Sequence, residues 1–306
     1  MFEHRLTIFL AFATFILLWI GATVNPTGSS LACPEAVLIC HGSLFPEMTG
    51  GVFYEHGHRL WASSVGILQI VVTILLWRRR PRLRGWAIAA LVMVCFQGSL
   101  GALTVKYKLP WIVSTLHLFS GLMYFALLIC LALATKPKSL LSSSKSSLTS
   151  LRRVVLVAVV ALLAQILLGG LVRHHGAALA SVSLPFHYGS LWPSDAAFTI
   201  KLQMAHRIGG VVAGSILSVI AVIIFRRARG HSTIRFLCMS SIFLVLCQIG
   251  LGAWVIASFR STPVAVAHFA VASALWASWV AMAFVIRASS QEGELLVRAS
   301  LTGKAR

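Results

Sequence analysis

Acidic side chains are nearly missing from this chain, with 7 Asp and Glu in 306 residues against 26 Lys and Arg. Charged residues of both signs make up only 11%, hydrophobic residues make up 58%, and the mean hydropathy is +0.89. A soluble domain carries about 25% charged residues, so that class is excluded, and the chain reads as an all-α polytopic membrane protein. A second absence concerns the N-terminus. The first apolar run, at about 6–24, is too long for a signal-peptide core and lacks an obvious small-residue cleavage site, so it reads as a retained span.

Eight apolar runs are present, at about 6–24, 56–77, 86–105, 111–135, 154–172, 203–225, 234–257 and 263–286. With the N-terminus on the cytoplasmic side, 19 of the 26 basic residues fall in cytoplasmic segments, notably RRRPRLR at 78–84. That asymmetry predicts an N-in, C-in topology in the cytoplasmic membrane. The basic excess therefore reports orientation and contact with anionic lipid, and does not imply a nucleic-acid partner.

The chain also repeats itself. At an offset of 148, ATVNPTGSSLAC (22–33) lies on GLVRHHGAALAS (170–181), and EHGHRLWASSVGIL (55–68) on QMAHRIGGVVAGSI (203–216). At 151, FQGSLGA (96–102) lies on CQIGLGA (247–253), and STLHLFSG (114–121) on AVAHFAVA (265–272). Near-constant offsets predict a duplicated four-helix unit. Four spans per copy give both copies the same orientation, so the expectation is two pseudo-symmetric parallel four-helix bundles. Their expected bounds are 1–135 and 154–290. A Ser/Lys-rich cytoplasmic linker at 136–153 joins them, and a cytoplasmic tail follows at 291–306.

The repeat makes His58 equivalent to His206, and His117 to His268. Each falls five to seven residues from the outer end of its span, which at 1.5 Å per residue is about 7–10 Å deep. All four are thus expected in one layer toward the outer face. A single His there is ordinarily an interfacial side chain bonded to a carbonyl. Two pairs at matched depth, beside small residues (Gly57, Ser63, Ser64, Gly66; Gly209, Gly210, Ala213, Gly214), point instead to bis-histidine haem ligation. Zinc or copper would ask for three or four ligands together, and here they come in twos. Arg59 and Arg207, each following a histidine, read as partners for haem propionates or lipid phosphates. The histidines without counterparts (His4, His41, His56, His174, His175, His187 and His231) read as solvated.

The duplication is broken at two points. Glu55 shares a helical face with His58, whereas Gln203 stands before His206. A carboxylate can take a proton or stabilise a cation; an amide can do neither. Cys33 and Cys40 in the outer loop CPEAVLIC face Ser181 and His187/Tyr188 in the other copy. A disulfide across that loop, structural or redox-active, is compatible with an extracytoplasmic position. Cys95, Cys130, Cys238 and Cys247 read as apolar packing residues. A reacting site is therefore expected in the N-terminal half, and a holding or electron-transfer site in the C-terminal half.

TGSSLACPEAVLICHGSLFPE followed by EHGHRLWAS resembles the haem A synthase family of bacterial and mitochondrial membranes. So do QGSLGALTV, MAHRIGG, QIGLGAWVI and AVAHFAVA, and the likeness runs over about residues 8–286. The resemblance implies conversion of the position-8 methyl of haem O to a formyl group, giving haem A for terminal oxidases. The oxygen would come from water, in successive two-electron oxidations. It also implies that His58 and His117 ligate the substrate haem, that His206 and His268 ligate a resident haem b, and that Glu55 is the catalytic carboxylate. Cys33 and Cys40 would form a disulfide that structures the pocket or relays reducing equivalents. Implied partners are membrane lipid, a haem O synthase and an electron acceptor, and a homo-oligomer is compatible with the chain. Family members often have Trp-Pro where this chain has Val37-Leu38, and many Gram-positive members carry a second cysteine pair in the C-terminal half, absent here.

Two other classes fit part of this pattern. A dihaem b-type electron-transfer subunit, oxidising quinol, accounts for the histidines but not for the confinement of Glu55 and the cysteines to one half. A haem carrier or chaperone fits parallel repeats, but the chain lacks the Gly/Pro-broken helices at mid-membrane that transporters commonly show.

Overall fold

The structure, a computed structural model, describes residues 1–35, 38–136 and 149–301. Eight helices of at least 23 residues follow one another: α1 Phe2–Val24, α2 Gly50–Arg79, α3 Arg84–Lys106, α4 Trp111–Ala134, α5 Arg152–His174, α6 Phe198–Arg227, α7 Ser232–Ala257 and α8 Thr262–Leu301. A hydrocarbon core of about 30 Å takes about 20 helical residues. All eight are long and apolar enough to cross it. The chain is a multi-pass membrane protein.

Local chemistry sets the turns between spans. Pro81 lacks an N–H to continue α2 and disfavours helical backbone at Arg80, so the helix ends at Arg79 and a 3-10 turn, Pro81–Leu83, leads into α3. Two tight corners have the same build. Lys108 and Leu109 between α3 and α4 have φ of 54° and 65°, and Phe259 and Arg260 between α7 and α8 have φ of 50° and 62°. Pairs of non-glycine residues in this region are uncommon, and here they recur at the offset of 151.

Within each group of four, consecutive helices pack together, and the first closes on the fourth; α1 with α8, α4 with α5 and α4 with α8 join the groups. Leu10, Val65, Leu76, Leu128 and Leu131 form one core. A larger one runs from Leu122 and Phe125 of α4 to Trp276 and Trp279 of α8. Both indoles find the polar partner a buried Trp requires: Trp276 Nε1 donates to Leu122 O at 3.1 Å, and Trp279 Nε1 to Ser241 Oγ at 2.8 Å. Ile67, Val92, Val157, Phe236 and Leu246 face outward, each at least 57% exposed. Such faces would be a liability in water and are suited to lipid.

The spans agree with the apolar runs except at their ends. Helices α2 and α6 start at Gly50 and Phe198, about one to two turns before the expected 56 and 203, because GGVFYEHGHR is helical although too polar for a hydropathy window. Glu55 and His58 therefore sit well inside α2. Positions 137–148 of the expected linker, positions 302–306 of the expected tail, and Val37 lie outside the described residues. Helix α8 itself runs on past 290 to Leu301.

Candidate functional site

His58, His117, His206 and His268 stand on α2, α4, α6 and α8, the even-numbered helices, and each faces a glycine of the helix before it. A Cβ at Gly21 (α1) would lie 2.8 Å from His58 Cε1, and one at Gly169 (α5) 2.8 Å from His206 Cε1. At Gly101 (α3) and Gly252 (α7) the gaps to Cε1 of His117 and His268 would be 3.2 Å. A side chain at Gly21 or Gly169 would force the imidazole to shift, and one at Gly101 or Gly252 would press on it more gently. The small residues singled out from the sequence do other work: Gly66 faces open space, Gly209 and Gly210 face Gln165, and Gly214 faces Val245.

Glutamines complete the surroundings. Gln97 Nε2 lies 3.4 Å from His117 Nε2, and Gln248 Nε2 lies 3.3 Å from His268 Nε2. The Gln165 amide bonds His206 Nδ1 at 2.9 Å; its counterpart at the 148 offset is Leu17, so the bond is peculiar to His206. Neither the facing glycines nor these glutamines stood out in the sequence, although Gly21 with Gly169, Gly101 with Gly252 and Gln97 with Gln248 repeat at the offsets that matched the histidines.

The ring centroids of His206 and His268 are 6.4 Å apart, with planes at 85°. With metal–imidazole bonds of about 2 Å, an ion between two such rings puts their centroids about 6 Å apart. The Nδ1 atoms of His58, His117 and His268 are buried without a hydrogen-bond partner, an arrangement a packed core avoids. A cavity of about 660 Å³ opens at His206 and His268, lined mainly by apolar side chains with Gln165, Gln203, Gln248 and three arginines, Arg173, Arg207 and Arg260. Cofactor sites occupy about 300–1,000 Å³ with few polar groups. The donors, the spacing and the room fit a bis-histidine macrocycle.

Glu55 is 4% exposed, and both its carboxylate oxygens are engaged. Oε2 accepts the Cys33 N–H at 2.9 Å, and Oε1 pairs with Arg59 Nη2 at 2.5 Å. Arg59 also donates to the carbonyls of Cys33, Glu35 and Ile39. Gln203 accepts the Ser181 N–H at 2.6 Å, while Arg207 donates to the carbonyls of Ser181 and Ser183. Each arginine thus ties a loop to the start of its helix. An amide does the loop-holding part of Glu55's job as well as a carboxylate does, so what Glu55 adds is charge.

Cys33 and Cys40 form a disulfide and are fully buried. In the other loop, Ser181 Oγ bonds His187 Nδ1 at 2.8 Å in its place, and each loop closes with a one-pair bridge, Cys40 with Ser43 and His187 with Ser190. Several histidines expected in solvent are not there. His56 is fully buried, donating from Nε2 to Leu44 O at 3.0 Å, with a ring nitrogen within 4.8 Å of both sulfurs. His231 is 8% exposed. His4 Nδ1 donates to Ala132 O at 3.0 Å, and His174 bonds Thr115 Oγ1 at 2.9 Å. For His4 and His56 the reason is shared: a carbonyl at a helix end or in a covering loop lacks a partner, and a ring N–H supplies one. His41 is exposed as expected. Cys95 is exposed and does not pack inside.

An eight-helix membrane protein with two histidine pairs beneath two similarly built loops is a narrow class, and comparison with known proteins places the chain within it. It belongs to the cytochrome oxidase assembly protein family, whose profile matches residues 45–280. A heme A synthase of Exiguobacterium sibiricum is 29% identical over 278 residues, covering 87% of this chain and 90% of the relative. One from Shewanella oneidensis is 26% identical over 83% and 88% of the two chains. One from Symbiobacterium thermophilum is 31% identical over 64% and 67%.

Proposed function

We propose that this chain works in haem A biosynthesis as a haem A synthase, oxidising the position-8 methyl of haem O to a formyl group. The observation that carries the reading is the asymmetry between two otherwise matched histidine pairs. Both have glycine-cleared imidazoles, but only the pair His58/His117 has a carboxylate one turn away and a disulfide above it. The N-terminal four helices are the reacting half, and the C-terminal four are the holding half.

His58 and His117 bind and orient the substrate. One water supplies the oxygen, and hydrogen leaves both the methyl carbon and that water as protons, with an electron pair lost from the carbon in each of two successive oxidations. Glu55 takes up a proton there and stabilises positive charge on the carbon. Arg59 fixes that carboxylate, and the Cys33–Cys40 loop covers the site from water. A haem b held by His206 and His268 would supply one-electron transfer. The electrons pass to an acceptor outside the chain, and haem O comes from its synthase or from the lipid. The topology is N-in and C-in in the cytoplasmic membrane, with both sites toward the outer face.

Co-expression with a haem O synthase, followed by extraction and mass analysis of the haems, tests this. Haem A is expected with the native chain. Two tightly bound haem b groups with formyl haem never formed would instead favour a dihaem electron-transfer subunit.

A further inference from the structure

Two guanidinium groups in the C-terminal cavity have no evident counter-charge. Arg173, at the end of α5, and Arg260, at the corner before α8, both line the cavity of His206 and His268 and are close enough for their charges to act on one another. Among the described residues the ion pairs are Met1 with Glu3, Arg59 with Glu55 and Arg79 with Glu3, and none involves either arginine. Arg173 Nε is buried without a partner, and Nη2 makes one long contact, 3.5 Å, to Gly21 O. Like charges held together beside apolar walls are unfavourable unless an anion joins them. The third arginine of the cavity, Arg207, gives its Nη groups to the carbonyls of its loop, and its Nε too is buried without a partner.

Neither arginine has a counterpart in the other copy of the repeat. Arg173 falls on Asn25 at the 148 offset, and Arg260 falls on Leu109 at 151, at the same left-handed corner.

We infer that Arg173 and Arg260 form an anion site that holds the two carboxylate arms of the haem in the C-terminal cavity. The inference rests on the reading that this cavity binds a haem. Guanidinium forks match carboxylates in shape and charge. Arg260 lies at the C-terminal cavity alone, whereas Arg173 stands where the halves meet, bonding Gly21 O and close enough to His58 and His117 for its charge to act on them.

The test uses the full-length chain carrying His58→Ala, prepared without haem, so that the C-terminal cavity is the one titrated. Ferric haem is compared with its dimethyl ester, which keeps the ring and iron but caps both carboxylates. The free acid is expected to bind at least about 10-fold more tightly than the ester, the scale of a hydrogen bond to a charged group. Arg173→Asn with Arg260→Leu, which copies the other half, should remove most of that preference and leave ester affinity within about 2-fold. If the double variant binds neither form, the single variants are read, and each should lose part of the preference. An unchanged preference in the variants, or none in the parent, overturns the inference. Equal binding of acid and ester, with both weakened by added phosphatidylglycerol, would identify a lipid phosphate as the occupant and also overturn it. Adding His206→Ala separates the underlying reading: if the bound-haem spectrum survives that change, the cavity is not the haem site, whatever the arginines do.

Discussion

At the residue scale, the facing glycines limit what the helices can tolerate. A methyl at Gly169 or Gly21 would sit 2.8 Å from an imidazole carbon, so the ring must move, at a cost of about 1–3 kcal/mol. Gly169→Ala should leave a folded protein with a reduced Soret absorbance per chain. Gly66→Ala, where a methyl meets open space, should leave it unchanged. Equal spectra for the two variants would show that the glycine does not position the ligand. Glu35 is a second case. Its carboxylate accepts the N–H groups of His41 at 3.0 Å and Gly42 at 2.9 Å. Its own backbone N–H, then those of Gly42 and His41, hold the carboxyl below its ordinary value of 4.5. A carboxyl depressed in the folded state contributes its full stability above the unfolded value, and loses it as pH falls through the lower folded one. Protection of the 25–49 loop from protease should therefore stay flat from neutral pH to about 5 and fall below about 4.5. Glu35→Gln should abolish that pH dependence.

At the element scale, the two covering loops solve one problem differently, with a disulfide at Cys33–Cys40 and a hydrogen bond at Ser181–His187. A disulfide closing so short a loop contributes about 2–3 kcal/mol in the chain-entropy account. Cys33→Ser should speed amide exchange at Cys40 and Ser43, and Cys33→Ser with Cys40→His, copying the other loop, should recover part of the protection. Identical exchange in the single and double variants would contradict the equivalence. These loops also show where sequence reading stopped. The offsets between copies located all four histidines and both arginines, because a repeat compares positions. They did not reveal that His58 is cleared by Gly21, because spacing beside a residue describes its own helix face and not the helix opposite. Glu55 stood out as a carboxylate replaced by Gln203. Its bond to the Cys33 N–H, 22 residues away, depends on how the loop returns over α2. The same return buries His56, which composition alone would leave in solvent.

At the scale of the whole molecule, eight spans were legible because a bilayer demands about 20 apolar residues for each. The joining of the two groups was not, because contacts such as Trp276 Nε1 to Leu122 O, 154 residues apart, leave no periodic trace. Charge asymmetry predicts that the 25–49 loop faces outward. A cysteine placed at Ser43 should react with a membrane-impermeant thiol reagent in intact cells, and one at Arg82 only after permeabilisation, with the reverse pattern inverting the topology. The central claim is that the charge on Glu55 performs chemistry that an amide cannot, and Gln203 shows that glutamine is sterically suited to the loop-holding role. The most direct measurement is haem analysis after co-expression of Glu55→Gln with a haem O synthase. The account predicts that haem b and the fold are retained while haem A falls by about 100-fold or more, the scale of a lost general base. Normal haem A from Glu55→Gln would contradict it.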